Sequence, residues 1–186
     1  MALEQEVKLA FASLEAARSA VHTAEGRLVR SRRLIEDRLF DDDEGRLGER
    51  GSALRLRLDG DRSLVTWKGP ARPGPVKARE ELQTSVENTD TMSAILGALG
   101  YQPRFRSQKY REEYEIERTL VTIDEAPCGI FVEIEGPPDS IATVARALGR
   151  SPADFRLESY PTLWRQFCET QGRPFGDMLF AENGGR

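Results

Sequence analysis

The chain has 186 residues, 39% of them hydrophobic and 31% charged, with a net charge of -4. That length fits one domain, and the acidic balance argues against a general nucleic-acid binder, which favours a basic footprint. No early apolar stretch resembles a signal peptide, and no run approaches the roughly 18 apolar residues of a membrane span, so a cytoplasmic protein without membrane contact is expected.

The two cysteines, Cys128 and Cys168, lack metal-ligand spacing and read as reduced thiols. His22 is the only histidine, which argues strongly against a His-based triad or a His-rich metal site. Chemistry must then run on carboxylates, cationic groups, tyrosine or an oxygen-bound metal.

The chain begins with a strand pattern. Glu4, Glu6 and Lys8 fall on one face, and Leu3, Val7 and Leu9 on the other, because successive side chains alternate. The Ala- and Leu-rich stretch 11–30, with Leu14, Ala17 and Val21 at helical spacing, predicts a helix. A strand around 34–40 follows. The run Asp41-Asp42-Asp43-Glu44-Gly45 reads as a solvated turn, since it lacks the ligand spacing of an EF-hand. Next, Leu54, Leu56 and Leu58 alternate against Arg55 and Arg57, ending in Asp59-Gly60, a hairpin signal. Leu64, Thr66 and Lys68 share one face of the following strand. After the Pro/Gly-rich loop 69–75, Lys77, Arg79 and Glu81 share another.

A short helix over 89–101 is predicted, with Thr89 or Asp90 as N-cap and Gly100 as its stop. A long strand then carries Lys109, Arg111, Glu113 and Glu115 on one face and Tyr110, Tyr114 and Ile116 on the other. Two more strands set Thr122 and Asp124 against Val121 and Ile123, and Phe131, Glu133 and Glu135 against Ile130, Val132 and Ile134. Helices over 137–149 and 159–172 complete the domain, placed at 1–170, and the tail 171–186 is expected to be partly mobile. His22 reads as a surface residue and Trp164 and Phe167 as packing. The succession of strands between about 50 and 136 predicts antiparallel pairing.

Two-faced strands ordinarily turn their charges to water. Here, however, the charges pair by sign within strands: Glu4 with Glu6, Arg55 with Arg57, Lys109 with Arg111, Glu133 with Glu135. Like charges two apart on one face gain nothing from each other. If the sheet curls until its charged faces meet, the result is a closed barrel with an ionic interior. Such an interior is costly when empty. Cations from several strands suit a chain of phosphates, with Arg giving bidentate contacts. Clustered carboxylates suit a hard divalent cation bridging to phosphate oxygens.

These residues resemble the CYTH superfamily of triphosphate tunnel metalloenzymes, which includes inorganic triphosphatases, thiamine triphosphatases and class IV adenylate cyclases. The E-x-E-x-K motif matches Glu4-Gln5-Glu6-Val7-Lys8, and R-x-R matches Arg55-Leu56-Arg57. Lys68, Lys109-Tyr110-Arg111, Asp124, Glu133-Ile134-Glu135 and the Ser159-Tyr160 pair follow in the family's order. The resemblance runs from residue 1 to about 167. It implies an α+β fold, a closed antiparallel barrel of about eight strands forming a tunnel, with helices outside. It also implies a small-molecule triphosphate substrate, Mg²⁺ or Mn²⁺ as cofactor, no nucleic-acid partner, and it allows a homodimer.

The resemblance assigns metal binding to Glu4, Glu6, Asp124, Glu133 and Glu135. Phosphate binding falls to Lys8, Arg55, Arg57, Lys68, Arg79, Lys109 and Arg111, with Lys8, Arg55, Arg57 and Asp124 as the catalytic set. Glu81 either joins a metal or pairs with Arg79. Tyr160 either closes the tunnel mouth or packs beneath the last helix, and Arg156 and Arg165 are candidates for a cationic lid. Hydrolysis of the terminal phosphate is the first expectation, and cyclisation of ATP to cyclic AMP and pyrophosphate the second. Thiamine triphosphate comes third, because Ala53 stands where that branch carries an aromatic residue near R-x-R. A non-catalytic polyphosphate-binding module is the remaining alternative.

Overall fold

A computed structural model describes residues 2–181. Eight strands close on themselves: β1 (Ala2–Phe11), β2 (Arg27–Asp41), β3 (Ala53–Asp59), β4 (Arg62–Lys68), β5 (Lys77–Val86), β6 (Gln102–Ile116), β7 (Thr119–Ala126) and β8 (Gly129–Glu135). The barrel order is β1-β5-β4-β3-β2-β6-β7-β8, and every pairing is antiparallel. Helices α1 (Leu14–Thr23), α2 (Arg46–Glu49), α3 (Thr89–Ala98), α4 (Pro138–Ala147) and α5 (Tyr160–Thr170) complete the α+β architecture. Among the described residues, no helix is long and apolar enough to cross a membrane.

The apolar core lies outside the barrel wall. Val7, Leu9, Val121, Ile123, Val132 and Ile134 point outward from β1, β7 and β8 and pack under Ala17 and Val21 of α1 and Ile141, Val144 and Ala145 of α4. A second outer cluster joins Phe40 and Leu56 to Leu96 of α3. Period-2 alternation thus places one apolar face against helices and leaves the charged face inside.

The helix expected over 11–30 is shorter than predicted. It stops at Thr23, and the chain becomes β2 at Arg27. Glu25 adopts a left-handed φ of 56°, and Gly26 crosses so close to Val21 that an added Cβ would sit 2.5 Å from its Cγ1. Residues 27–30 then pair with β6 as strand. The acidic run forms a turn, as its composition suggests, and also starts α2. Asp41 accepts from the backbone nitrogens of Leu47 and Gly48, and Asp42 from that of Arg46. Asn88, rather than Thr89 or Asp90, caps α3 by accepting from Thr91 N at 2.8 Å.

The third cluster is set inside one end of the barrel. Trp164 and Cys168 of α5, with Met178, pack on Phe105 and Ala126, and Leu39 borders them. Residues 171–181 lie along the wall. Met178 exchanges backbone bonds with Arg106 and Gln108, Trp164 Nε1 donates to Gly176 O at 2.8 Å, and Phe175 stacks on Phe105. The end of the expected mobile tail, 182–186, falls outside the described residues. Ile134 is fully buried between β8 and the outer helices. Ile134→Ala is expected to cost about 3 kcal/mol, read as a lower midpoint in urea unfolding.

Candidate functional site: an ionic tunnel

Cross-strand register fixes which side chains share the interior. Lys8 faces Glu133, and Glu6 faces both Glu135 and Lys77. Glu4 faces Arg79, Lys68 faces Glu81, and Arg111 faces Asp124. Arg57 faces Asp37. All the residues expected to bind metal or phosphate therefore line one lumen, because directly opposed residues project to the same side of a sheet.

The charges are bound to each other. At the acidic flank, Lys68 Nζ lies 2.6 Å from Glu4 Oε1 and 2.6 Å from Glu81 Oε2, so Glu81 pairs with Lys68 rather than with Arg79. Lys77 and Lys8 both donate to Glu6 Oε1, at 2.9 and 3.1 Å. At the centre, Asp124 is fully buried and accepts from Lys109 at 2.7 Å and from Arg111 Nε and Nη2 at 2.6 Å. Glu133 accepts from Arg111 and lies 3.2 Å from Lys8 Nζ. On the far wall, Arg57 forms a two-point contact with Asp37 at 2.7 and 2.8 Å. Arg55 and Arg79 are the least satisfied cations of the set, each with a buried Nε that has no hydrogen-bond partner. The nearest carboxylate oxygen is 4.0 Å from Arg55, whose Nη2 reaches Thr66 at 3.3 Å, and 3.7 Å from Arg79.

These contacts set the ionisation. Burial would raise the Asp124 and Glu133 carboxyls, yet the surrounding cations hold both below the ordinary carboxylate range. Burial pushes Lys109 down to about 8, with Arg111 adding to the effect, and pushes Lys77 down to about 8, with Lys8 adding. Glu4 is raised by burial despite Lys68. Glu135 is exposed at the rim as a residue. Desolvation of its carboxyl, followed by the charges of Glu4, Glu6 and Glu81, pushes it up to about 7.

Glu4, Glu6, Glu81 and Glu135 thus form a flank of carboxylates that repel one another. Glu6 and Glu135, directly opposed, are an unfavourable pairing unless a cation intervenes. The all-oxygen donor set fits a hard divalent ion. Among the described residues no three acidic, histidine or cysteine side chains form a ready-made cage. Lysines hold the oxygens instead. Asp124 sits apart from this flank, inside the cationic cluster, and Glu133 joins the two, sharing Lys8 with Glu6 and Arg111 with Asp124.

The sequence pattern assigned no site role to Asp37, Lys77, Arg33 or Asp59. Lys77 and Asp59 were visible in the alternation of β5 and β3. Arg33 was not, because β2 carries register shifts at Leu28/Arg30 and Arg30/Arg33 that break its period. Asp37 was not, because charged and apolar residues do not alternate over 34–39. Arg33 and Arg30 both bind Asp59. Arg156 is exposed at the surface, where its backbone pairs with Lys8, and Arg165 stacks on Phe175. Tyr160 enters the tunnel, and its hydroxyl donates to Asp124 Oδ2 at 2.6 Å.

A closed antiparallel barrel with an interior of matched charges, shut at one end by a helix, defines an ionic-tunnel protein. Residues 2–151 match the family model of the CYTH domain, and the chain belongs to the CYTH family. CYTH proteins are enzymes, triphosphatases or adenylate cyclases, and the tunnel enzymes among them depend on a metal ion. A Methanocaldococcus jannaschii protein named "putative adenylate cyclase" is 33% identical over 101 residues, which is 54% of this chain and 58% of that protein. The match therefore spans less than two thirds of the relative. A Vibrio parahaemolyticus structure with the same name superposes with a TM-score of 0.77 at 21% identity, over 87% of this chain and 97% of that one. The Hippeastrum protein HpAC1, named an adenylyl cyclase and described as revealing a dominant triphosphatase activity, superposes with a TM-score of 0.67 at 16% identity, over 94% and 97%. At these identities the two structures establish the fold.

Against the cost of burial, Arg33 and Arg30 hold the Asp59 carboxyl below its ordinary range. Such a group stabilises the fold above its unfolded pKa of about 3.9 and loses that contribution as pH falls through the lower folded value. Wild type is therefore expected to exceed Asp59→Asn in urea midpoint at neutral pH. The gap should close as pH drops below about 4.

Proposed function

We propose that the protein hydrolyses a triphosphate at its terminal phosphate, inside the tunnel and with a divalent cation. The observation that carries this reading is the shared lumen of Lys8, Arg55, Arg57, Lys68, Arg79, Lys109 and Arg111, drawn from β1, β3, β4, β5 and β6, in which Lys8, Arg57, Lys68, Lys109 and Arg111 are held by carboxylates that a phosphate chain can displace. Simple anion binding would need the cations alone. The added carboxylates Glu4, Glu6, Glu133 and Glu135, with Asp124, are what a hard cation requires.

In this reading Arg57, Arg111 and Lys109 orient the phosphate chain, and Lys8 and Lys68 offset charge that builds on the terminal phosphoryl group. Arg55 and Arg79, the cations with the weakest internal partners, are the most readily available to an incoming phosphate. Glu4, Glu6, Glu133 and Glu135 would hold Mg²⁺ or Mn²⁺, with Asp124 contributing from the cationic side. When bound, the ion supplies Lewis-acid neutralisation of the phosphate oxygens. Water attacks the terminal phosphorus, the bridging P–O bond breaks, and the products are phosphate and diphosphate.

Cyclisation of ATP is the second reading. It is favoured by the name of the Methanocaldococcus jannaschii relative. The activity described for HpAC1, which also bears a cyclase name, favours hydrolysis. Both reactions use the same lining and differ in how the phosphate chain is registered along it.

Purified protein incubated with inorganic triphosphate, ATP or thiamine triphosphate, plus Mg²⁺ or Mn²⁺, is expected to release phosphate and diphosphate from inorganic triphosphate. Cyclic AMP as the main product would overturn the first reading, and no turnover of any of the three would favour a binding module. Glu133→Gln is expected to lower kcat by about a hundredfold or more while circular dichroism stays that of the wild type. Full activity in that variant would remove Glu133 from the site.

A further inference from the structure

Asp124 is the most heavily coordinated group in the tunnel. Its Oδ2 accepts from Lys109 Nζ at 2.7 Å, Arg111 Nη2 at 2.6 Å and the Tyr160 hydroxyl at 2.6 Å, while Oδ1 accepts from Arg111 Nε. Two of these three partners are cations proposed to bind phosphate. The third is neutral and comes from a helix rather than from the barrel wall.

That difference matters when a ligand arrives. A triphosphate carries more charge than one carboxylate, so it draws Lys109 and Arg111 toward itself. Asp124 has no solvent exposure, and a buried carboxylate stripped of its donors is costly. Tyr160 can stay behind. Its backbone is fixed at the start of α5, where Ser159 caps the helix and Leu163, Trp164 and Cys168 are buried. Its ring meets Phe131 edge-on, with centroids 5.8 Å apart. The ring centroid lies 4.2 Å from Lys109 Nζ and 5.4 Å from Lys8 Nζ, a surface over which an ammonium can shift while keeping a favourable contact.

We propose that Tyr160 is a positioning residue: it holds Asp124 in place while Lys109 and Arg111 transfer from Asp124 to the phosphates of a bound triphosphate. Without its hydroxyl, Asp124 competes with the ligand for both cations. The C-terminal helix thereby contributes to phosphate affinity as well as closing one end of the barrel. The proposal rests on the triphosphate reading of the tunnel.

Calorimetric titration of inorganic triphosphate, without metal, into wild type, Tyr160→Phe, Asp124→Asn and the double variant tests it. Tyr160→Phe should weaken binding about tenfold, the scale of one hydrogen bond to a charged group. In the Asp124→Asn background the same change should have no further effect. Thermal unfolding of each variant checks that it is folded. A structural role alone would lower the unfolding temperature and weaken binding by the same factor in both backgrounds, which would overturn the proposal. So would equal affinity of Tyr160→Phe and wild type. Absence of triphosphate binding to the wild type would instead overturn the tunnel reading itself, and the positioning role with it.

Discussion

Charges enclosed by the barrel must find their counter-charges inside it. Glu4 with Lys68, Glu6 with Lys77 and Lys8, Asp37 with Arg57, and Asp124 with Lys109 and Arg111 are the pairs that make an ionic lumen tolerable. A buried ion pair is rarely a strong source of stability, but a buried charge without its partner is strongly destabilising. The lumen is therefore a constraint that the rest of the molecule must satisfy, and the satisfaction is uneven. Among the described residues, Arg55 and Arg79 have no hydrogen-bonded carboxylate and Glu135 is in no ion pair, and these are the places where an added phosphate or cation relieves the most.

Stability comes from elsewhere. The apolar side chains of β1, β7 and β8 lie on the outer surface and are covered by α1 and α4. This reverses the usual arrangement of a small barrel, whose interior is filled by apolar side chains. The reversal separates two tasks. Burial of Val7, Leu9, Val132 and Ile134 outside holds the wall in register, and the register in turn opposes each cation to its carboxylate inside. A change on either face is thus felt on the other through strand pairing.

The α5 helix links the two. Its apolar side chains fill one end of the barrel, and its first residue reaches the charged centre. A neutral hydroxyl is the appropriate group there, since burial, Asp124 and Glu133 hold the Tyr160 proton on well above the usual tyrosine range. A further carboxylate would repel Asp124, and a further ammonium would compete with Lys109.

Much of this was legible in the sequence. Strict alternation in β1, β3, β6, β7 and β8 determined which charges share a face, because a strand has no other way to place side chains two apart. It also determined which apolar residues must be covered. Alternation failed in β2, where register shifts separate Arg30 from Arg33 by three residues yet leave both on Asp59, and where a helix-like composition hid the strand's first residues. Only the tertiary structure decided that Glu81 pairs with Lys68, that Asp37 belongs to Arg57, and that Tyr160 of α5 reaches Asp124. Those facts follow from barrel closure and from contacts between residues far apart in the chain, as in Lys8 and Glu133, and no local periodicity carries that information.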